Sequence, residues 1–183
     1  MEPNVEELKK IPRLEVPRGT YNLAKGKTVT SSESLGAVEL VTDGNKEENC
    51  YAELFPGLQW IQIDLQNEAT ISAVWVWHYY KGWDYGWKSC YKDVIVQISN
   101  APEFDAKVTT IFNNDYDDSA HKGKGEDRPY IETNIGKLMP VKPPAKGRYV
   151  RLYSAGNCWG FKENRYVEVE VFGIYEKREI PSH

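Results

Sequence analysis

The chain is poor in the residues that build metal centres and nucleophilic sites: 183 residues contain three cysteines and three histidines. Cys50, Cys90 and Cys158 form no CxxC pair, and no histidine stands at zinc-ligand spacing from them, so a structural zinc site is not expected. An odd count leaves at least one cysteine outside any intramolecular disulfide. There is no GxSxG elbow, no HExxH and no phosphate-binding loop, and nothing specific argues for catalysis. Basic runs are lacking as well. Lys and Arg number 23 against 27 Asp and Glu, a net charge of −4, and no segment gathers positive charge into a phosphate-tracking stripe, which argues against nucleic acid as a partner. The strongest apolar run, Ile71 to Trp77, falls far short of the roughly 20 residues that cross a bilayer. Met1 is followed by acidic residues and not by a charged-then-apolar leader, so the sequence shows neither a transmembrane segment nor an export signal. No window keeps apolar residues at helical spacing for several turns, and there is no solenoid repeat or low-complexity tract.

What the chain does have is tyrosine and tryptophan, which supply 18 of 23 aromatic residues. These rings join an apolar body to a polar handle and suit a wet binding surface better than a dry core. Short alternating stretches lie between clusters of Gly, Asn, Asp and Pro. Ile61-Gln62-Ile63-Asp64-Leu65 has one dry and one wet face. Ile71 to Trp77 places Ile71, Ala73, Trp75 and Trp77 on one face and Ser72, Val74 and Val76 on the other, which predicts a central strand with both tryptophans in the core. Val94 to Ile98, Tyr149 to Tyr153 and Val167 to Phe172 continue the pattern. The expectation is an all-β protein, an antiparallel β-sandwich, with one core in a chain of this length. Residues 1–19 read as a tail, a linker or a strap across the sandwich, because Pro12 and Pro17 stop any helix begun at Val5. Residues 113–130 form a long polar loop, of the kind that is functional or disordered.

Several landmarks occur in a familiar order: Asn22-Leu23-Ala24-Lys25-Gly26-Lys27-Thr28-Val29, then Leu40-Val41-Thr42-Asp43-Gly44-Asn45, then Gln59-Trp60-Ile61-Gln62-Ile63-Asp64-Leu65. Arg148-Tyr149-Val150-Arg151-Leu152-Tyr153 and Val167-Glu168-Val169-Glu170-Val171-Phe172-Gly173 close the series. This ordered set resembles discoidin domains, also called coagulation-factor type C domains, and the family 32 carbohydrate-binding modules that share their galactose-binding-like fold. The resemblance covers residues 20–175, leaving 176–183 as a C-terminal tail, and implies a discoidin-like jelly roll. It also implies a non-catalytic module that binds a glycan, carried by a larger multidomain protein in an extracellular or cell-envelope setting. The group also includes domains that bind proteins or membrane surfaces, and that alternative stays open.

In many such modules a turn aspartate and a glutamate of the last strand hold a structural Ca²⁺. By position Asp43 and Glu168 match, with carbonyls near Val38 and Asn45 completing the shell. Where the family often adds a hydroxyl, this chain has Asn49-Cys50. The competing expectation is that Asp43 caps an Asx turn and Glu168 faces water. Asp115-Tyr116-Asp117-Asp118 lacks EF-hand spacing and reads as a solvated loop. In family 32 modules a histidine after the central strand, an asparagine in the penultimate loop and loop aromatics often contact the sugar. His78, Asn157 and Trp159 match by position, Trp83 and Trp87 add aromatic faces, and Lys88 and Arg165 stand in for an arginine that has no secure match. Lys81, Lys88, Lys162 and Arg165 around these rings would suit an acidic glycan such as a uronate or sulfated polymer; as a solvated rim they would carry no such preference. Cys90 and Cys158 flank these loops, and a bridge between them is one pairing the sandwich allows.

Overall fold

The computed structural model describes residues 10–47, 49–80, 89–158 and 162–176. Among the described residues, β-branched and aromatic residues alternating between turn residues give nine strands. They are β1 (Tyr21–Asn22), β2 (Thr28–Ser31), β3 (Ser34–Gly36), β4 (Ala52–Leu54), β5 (Gln59–His78), β6 (Ile95–Ser99), β7 (Thr109–Asn113), β8 (Lys137–Ser154) and β9 (Asn164–Tyr175). The helical element among the described residues is a single 3₁₀ turn, Val38–Thr42. All pairings between these strands are antiparallel.

β5 and β8 run together as one long ribbon, with Gln59 opposite Ser154 and Val76 opposite Lys137. Laid straight, a strand of this length would span roughly 65 Å at about 3.3 Å per residue. Yet Ser154 Oγ lies 2.9 Å from the Tyr166 hydroxyl, and Tyr166 is the partner of His78 at the far end of β5. The ribbon therefore doubles back on itself. It folds over at the register shift between Asp64 and Ala69, where Gln66 has a φ of 72° and donates its N–H to Asp64 Oδ1 at 2.7 Å. One layer holds β2, the first half of β5, the second half of β8, β6 and β7. The other holds β3, β4, β9, the second half of β5 and the first half of β8, with β1 on β9. This is the expected antiparallel β-sandwich. Ile61, Ile63 and Leu65 from one layer meet Ile71, Val74 and Val76 from the other, all fully buried, and each such side chain stabilises the fold by about 1.5–3 kcal/mol.

A second register shift, between Ile71 and Ala73, breaks the simple alternation. Ile71 faces inward with Val74 and Val76, while Trp75 and Trp77 face outward. The two tryptophans, expected in the core, stack on the outer side of their layer with ring centroids 5.1 Å apart, where Trp77 is buried as expected and Trp75 is partly exposed. Their indole N–H groups donate to Ile135 O at 2.9 Å and Asn134 O at 3.2 Å. That roof requires Gly136: its φ is 72°, and a Cβ there would come within 2.7 Å of the Trp77 ring. Arg13, Leu14 and Glu15 lie on the same outer side beside Ala73, Leu138 and Pro140, so this part of the tail is a strap.

The 113–130 segment is long and polar but built on side-chain to backbone bonds. Asn113 N–H donates to Asp127 Oδ2 at 2.7 Å, Asn113 Nδ2 to Gly123 O at 2.7 Å, and Val94 N–H to Asn114 Oδ1 at 2.7 Å. It ends by delivering Tyr130 and Glu132 beneath the end of β5.

Candidate functional site

The end of β5, the segment 89–92, the segment 155–158 and the start of β9 converge at one end of the sandwich. β5 terminates in His78, whose side chain has no exposed surface. Its Nδ1 is 2.7 Å from Glu132 Oε1, and its ring stacks on Tyr91 at 4.4 Å and meets Tyr166 at 4.5 Å. Both the ring faces and Nδ1 are committed to neighbours in the interior, while Nε2 is buried without a hydrogen-bond partner. Burial, reinforced by the Glu132 charge, pushes the Tyr91 hydroxyl far above the usual phenol range, with a hydrogen bond to Asn157 acting the other way. Burial also raises the Tyr130 and Tyr166 hydroxyls. All three tyrosines therefore remain neutral hydrogen-bonding groups.

Asn164, at the start of β9, is fully buried and engages through both ends of its amide. Oδ1 accepts from Ser154 Oγ at 2.7 Å and Gly156 N–H at 2.6 Å. Nδ2 donates to Phe55 O and Gly57 O, each at 2.9 Å. One side chain thus joins the β4–β5 turn to the segment after β8. The next residue, Arg165, donates from Nε to Glu53 Oε2 at 2.7 Å. Its guanidinium lies 5.1 Å from the Tyr51 ring and 5.4 Å from the Tyr79 ring, and the two rings are 5.0 Å apart. Pairing of His78 with Tyr166 and the Tyr79 N–H to Arg165 O bond at 3.0 Å fix Arg165 beside the end of β5.

Cys90 and Cys158 are bridged, with Cα atoms 5.4 Å apart, and Tyr91 pairs with Asn157 across the same two segments. The structure thus brings His78, Asn157 and Arg165 together, with Asn157 buried and Arg165 partly exposed. Trp83, Trp87, Lys88 and Trp159 lie outside the described residues. Glu132, Tyr91, Asn164 and the Tyr51, Tyr79 and Glu53 cluster were missed from sequence. Of these only Tyr91 had a signal, its place next to Cys90.

At the metal corner, Glu168 is fully buried on β9. Its Oε2 accepts the Gly44 N–H at 3.1 Å, and its Oε1 is buried without a hydrogen-bond partner. Burial pushes the carboxyl up to about 8; the Gly44 hydrogen bond opposes this and the Asp43 charge adds to it. Gly44 reaches this position with a φ of 89°. Asp43 Oδ1 caps the expected Asx turn, accepting the Asn45 N–H at 2.7 Å. The Asn45 side chain is turned elsewhere, its Oδ1 accepting from Glu47 N–H and its Nδ2 donating to Cys50 Sγ, which leaves its backbone carbonyl for any ion. A buried, unpartnered carboxylate oxygen beside a second carboxylate is a donor set that fits a hard cation. Elsewhere, Asp93, Asp115 and Asp117 place carboxylate oxygens within 4.8 Å of one another. The solvated-loop expectation holds for exposed Asp117 but is corrected for Asp115, which is buried and accepts the Ser119 and Ala120 N–H groups.

Two antiparallel layers, with segments 89–92 and 155–158 converging at one end, define an antiparallel β-sandwich. The family described as NedA-like, galactose-binding domain, of the F5/F8 type C class, matches residues 40–152, and the chain belongs to that family. No curated protein matches the sequence. Among solved structures, the chain is similar to the family 32 carbohydrate-binding module of AlyQ in complex with 4,5-unsaturated mannuronic acid. Identity is 20%, coverage is 79% of this chain and 93% of that one, and the TM-score is 0.56. It is also similar to the family 32 module of NanJ from C. perfringens in complex with galactose, at 12% identity, covering 84% and 98%, with TM-score 0.60. A family 89 glycoside hydrolase from Clostridium perfringens, held with GlcNAc-alpha-1,4-galactose, matches at 16% identity and TM-score 0.63 over 88% of this chain but 16% of that one. At these identities the likeness shows the fold.

Proposed function

We propose that this domain is a non-catalytic carbohydrate-binding module that recognises a glycan at the loop end of the sandwich. The observation that carries the reading is the convergence of Asn157 and Arg165 on a buried, hydrogen-bonded platform in a chain of the galactose-binding family. In this reading Trp83, Trp87 and Trp159 supply ring faces for the apolar side of a sugar, and Asn157, Lys88 and Arg165 read its hydroxyl or carboxylate groups. His78 acts from below, through Tyr91. Support for an acidic glycan comes from the basic residues near this end and from the uronic-acid complex of the AlyQ module.

Calcium is assigned to Asp43, Glu168 and the Asn45 carbonyl, where it would tie the turn after the 3₁₀ element to β9 and supply no chemistry beyond that. The disulfide supports residence in an oxidising, extracellular or cell-envelope setting. Partial coverage of the hydrolase chain supports a place within a larger multidomain protein.

A binding screen against neutral, uronic and sulfated glycans, with calcium present, tests the reading. Binding to one class is expected, and Trp159→Ala is expected to abolish it with the melting temperature nearly unchanged. Exposed Leu35, Phe55 and Leu58, the last two beside the Asn164 anchor, favour a second reading in which the same end meets a membrane or protein surface. Binding to phosphatidylserine vesicles with silence across all glycans would favour that one.

A further inference from the structure

We propose that the Cys90–Cys158 disulfide is a covalent latch on the binding end, needed for ligand affinity and dispensable for the sandwich itself. The inference rests on the glycan-binding reading for its effect on affinity, and on geometry alone for the latch. Segment 89–92 leads into β6 and segment 155–158 follows β8, so together they prolong the β6–β8 pairing beyond Ile95 and Tyr153. Their main-chain contacts are few: Lys92 N–H to Gly156 O at 3.0 Å, Ala155 N–H to Lys92 O at 2.8 Å, and Cys158 N–H to Cys90 O at 2.8 Å. Bonds at the end of a ladder open locally at far lower cost than those of the core.

Tyr91 is anchored independently, by stacking on His78 and by its hydroxyl bond to Tyr79 O at 3.2 Å. The opposing segment has no ring of its own between Ala155 and Cys158 and is held instead by hydrogen bonds, Gly156 N–H to Asn164 Oδ1 at 2.6 Å and Asn157 to Tyr91. Without the bridge it is this segment that peels away, carrying Asn157 from its place beside Tyr91. Neither cysteine belongs to the core cluster that unites the two layers, so opening the bridge leaves that core intact. Cys158 is exposed and Cys90 half-buried, within reach of a soluble dithiol. A thiolate of the dithiol attacks Cys158 Sγ, the S–S bond breaks, and the second sulfur of the reductant resolves the mixed disulfide. The protein gains two thiols and the reductant becomes a cyclic disulfide, a transfer of two electrons and two protons.

The test compares the oxidised domain, the dithiol-reduced domain and the Cys90→Ser/Cys158→Ser variant. Thiol titration of the unfolded, unreduced protein is expected to find one free thiol, Cys50; three would overturn the latch. Amide hydrogen exchange is expected to speed up about tenfold or more at Lys92, Ala155 and residue 158 after reduction, with Ile95–Ser99 unchanged. Unchanged exchange at the three sites, or acceleration throughout β6, overturns the proposal. Affinity for alginate or galactose is expected to weaken about tenfold or more in both opened forms. Equal affinity across all three forms overturns the role in binding. If the oxidised domain is silent across the neutral, uronic and sulfated glycans, the glycan reading fails by itself, and the exchange data still decide the latch.

Discussion

Glu168 shows how one buried side chain couples folding to pH. Its carboxyl, raised to about 8 in the fold, binds its proton more tightly than in the unfolded chain. Between the ordinary value of 4.5 and about 8 the native state therefore holds more protons, and the metal-free domain loses stability as pH rises across that interval. Glu168→Gln removes the titration. In EDTA at pH 8 the variant is expected to melt higher than wild type, by about 3 °C or more, with the gap closing near pH 4. In calcium the order is expected to reverse, because only the wild type gains; thermal melts in both buffers check this. Asp64 has the opposite sign. Its hydrogen bond to Arg148 holds the carboxyl below its usual value, through Arg148 Nε and Nη2 contacts at 2.7 and 2.8 Å. The stability it adds is present above the unfolded carboxyl value and lost as pH falls through the folded one. Since both partners are partly exposed, Arg148→Met is expected to cost little at pH 7, and that cost is expected to fade as pH falls through and below the ordinary carboxylate range in urea titrations.

At the scale of elements, buried amides and glycines do what the strands alone cannot. Asn164→Ala removes four hydrogen bonds and leaves Gly156 N–H, Phe55 O and Gly57 O to find new partners. A loss of about 3 kcal/mol is expected in urea unfolding. Gly136→Ala must place a methyl against Trp77 from a left-handed backbone, and an expected loss of about 2 kcal/mol checks the roof over the tryptophans. These details mark where the sequence stops being legible. Alternation in Ile61 to Leu65 and in Val167 to Phe172 announces the strands, because one face of each is dry. The shift between Ile71 and Ala73 leaves no trace in a run that is apolar on both faces, so the tryptophans were assigned to the wrong side. The approach of the Asp43-Gly44 turn to Glu168 was readable from the order of landmarks. Glu132 was not, since a carboxylate at the end of a polar loop looks the same whether it meets water or His78. The 113–130 loop was legible as a long polar loop but its internal bonding was not: its Asn and Asp side chains are spent on backbone groups, which composition does not reveal.

Across the whole molecule, β5 and β8 belong to both layers, so neither layer can unfold while the other keeps its strands. A single cooperative transition is expected, with far-ultraviolet and tryptophan signals superimposing through urea denaturation; two separated transitions would contradict the shared ribbon. The fold-over of that ribbon also sets a direction. The last strand ends at Tyr175, opposite Ala69, and Glu176 N–H reaches Glu68 O at 3.2 Å. β9 therefore finishes at the corner where β5 bends, at the pole away from His78 and Asn164. Glu176 and the residues around His78 thus stand at opposite ends of the sandwich, with the length of the second half of β5 between them.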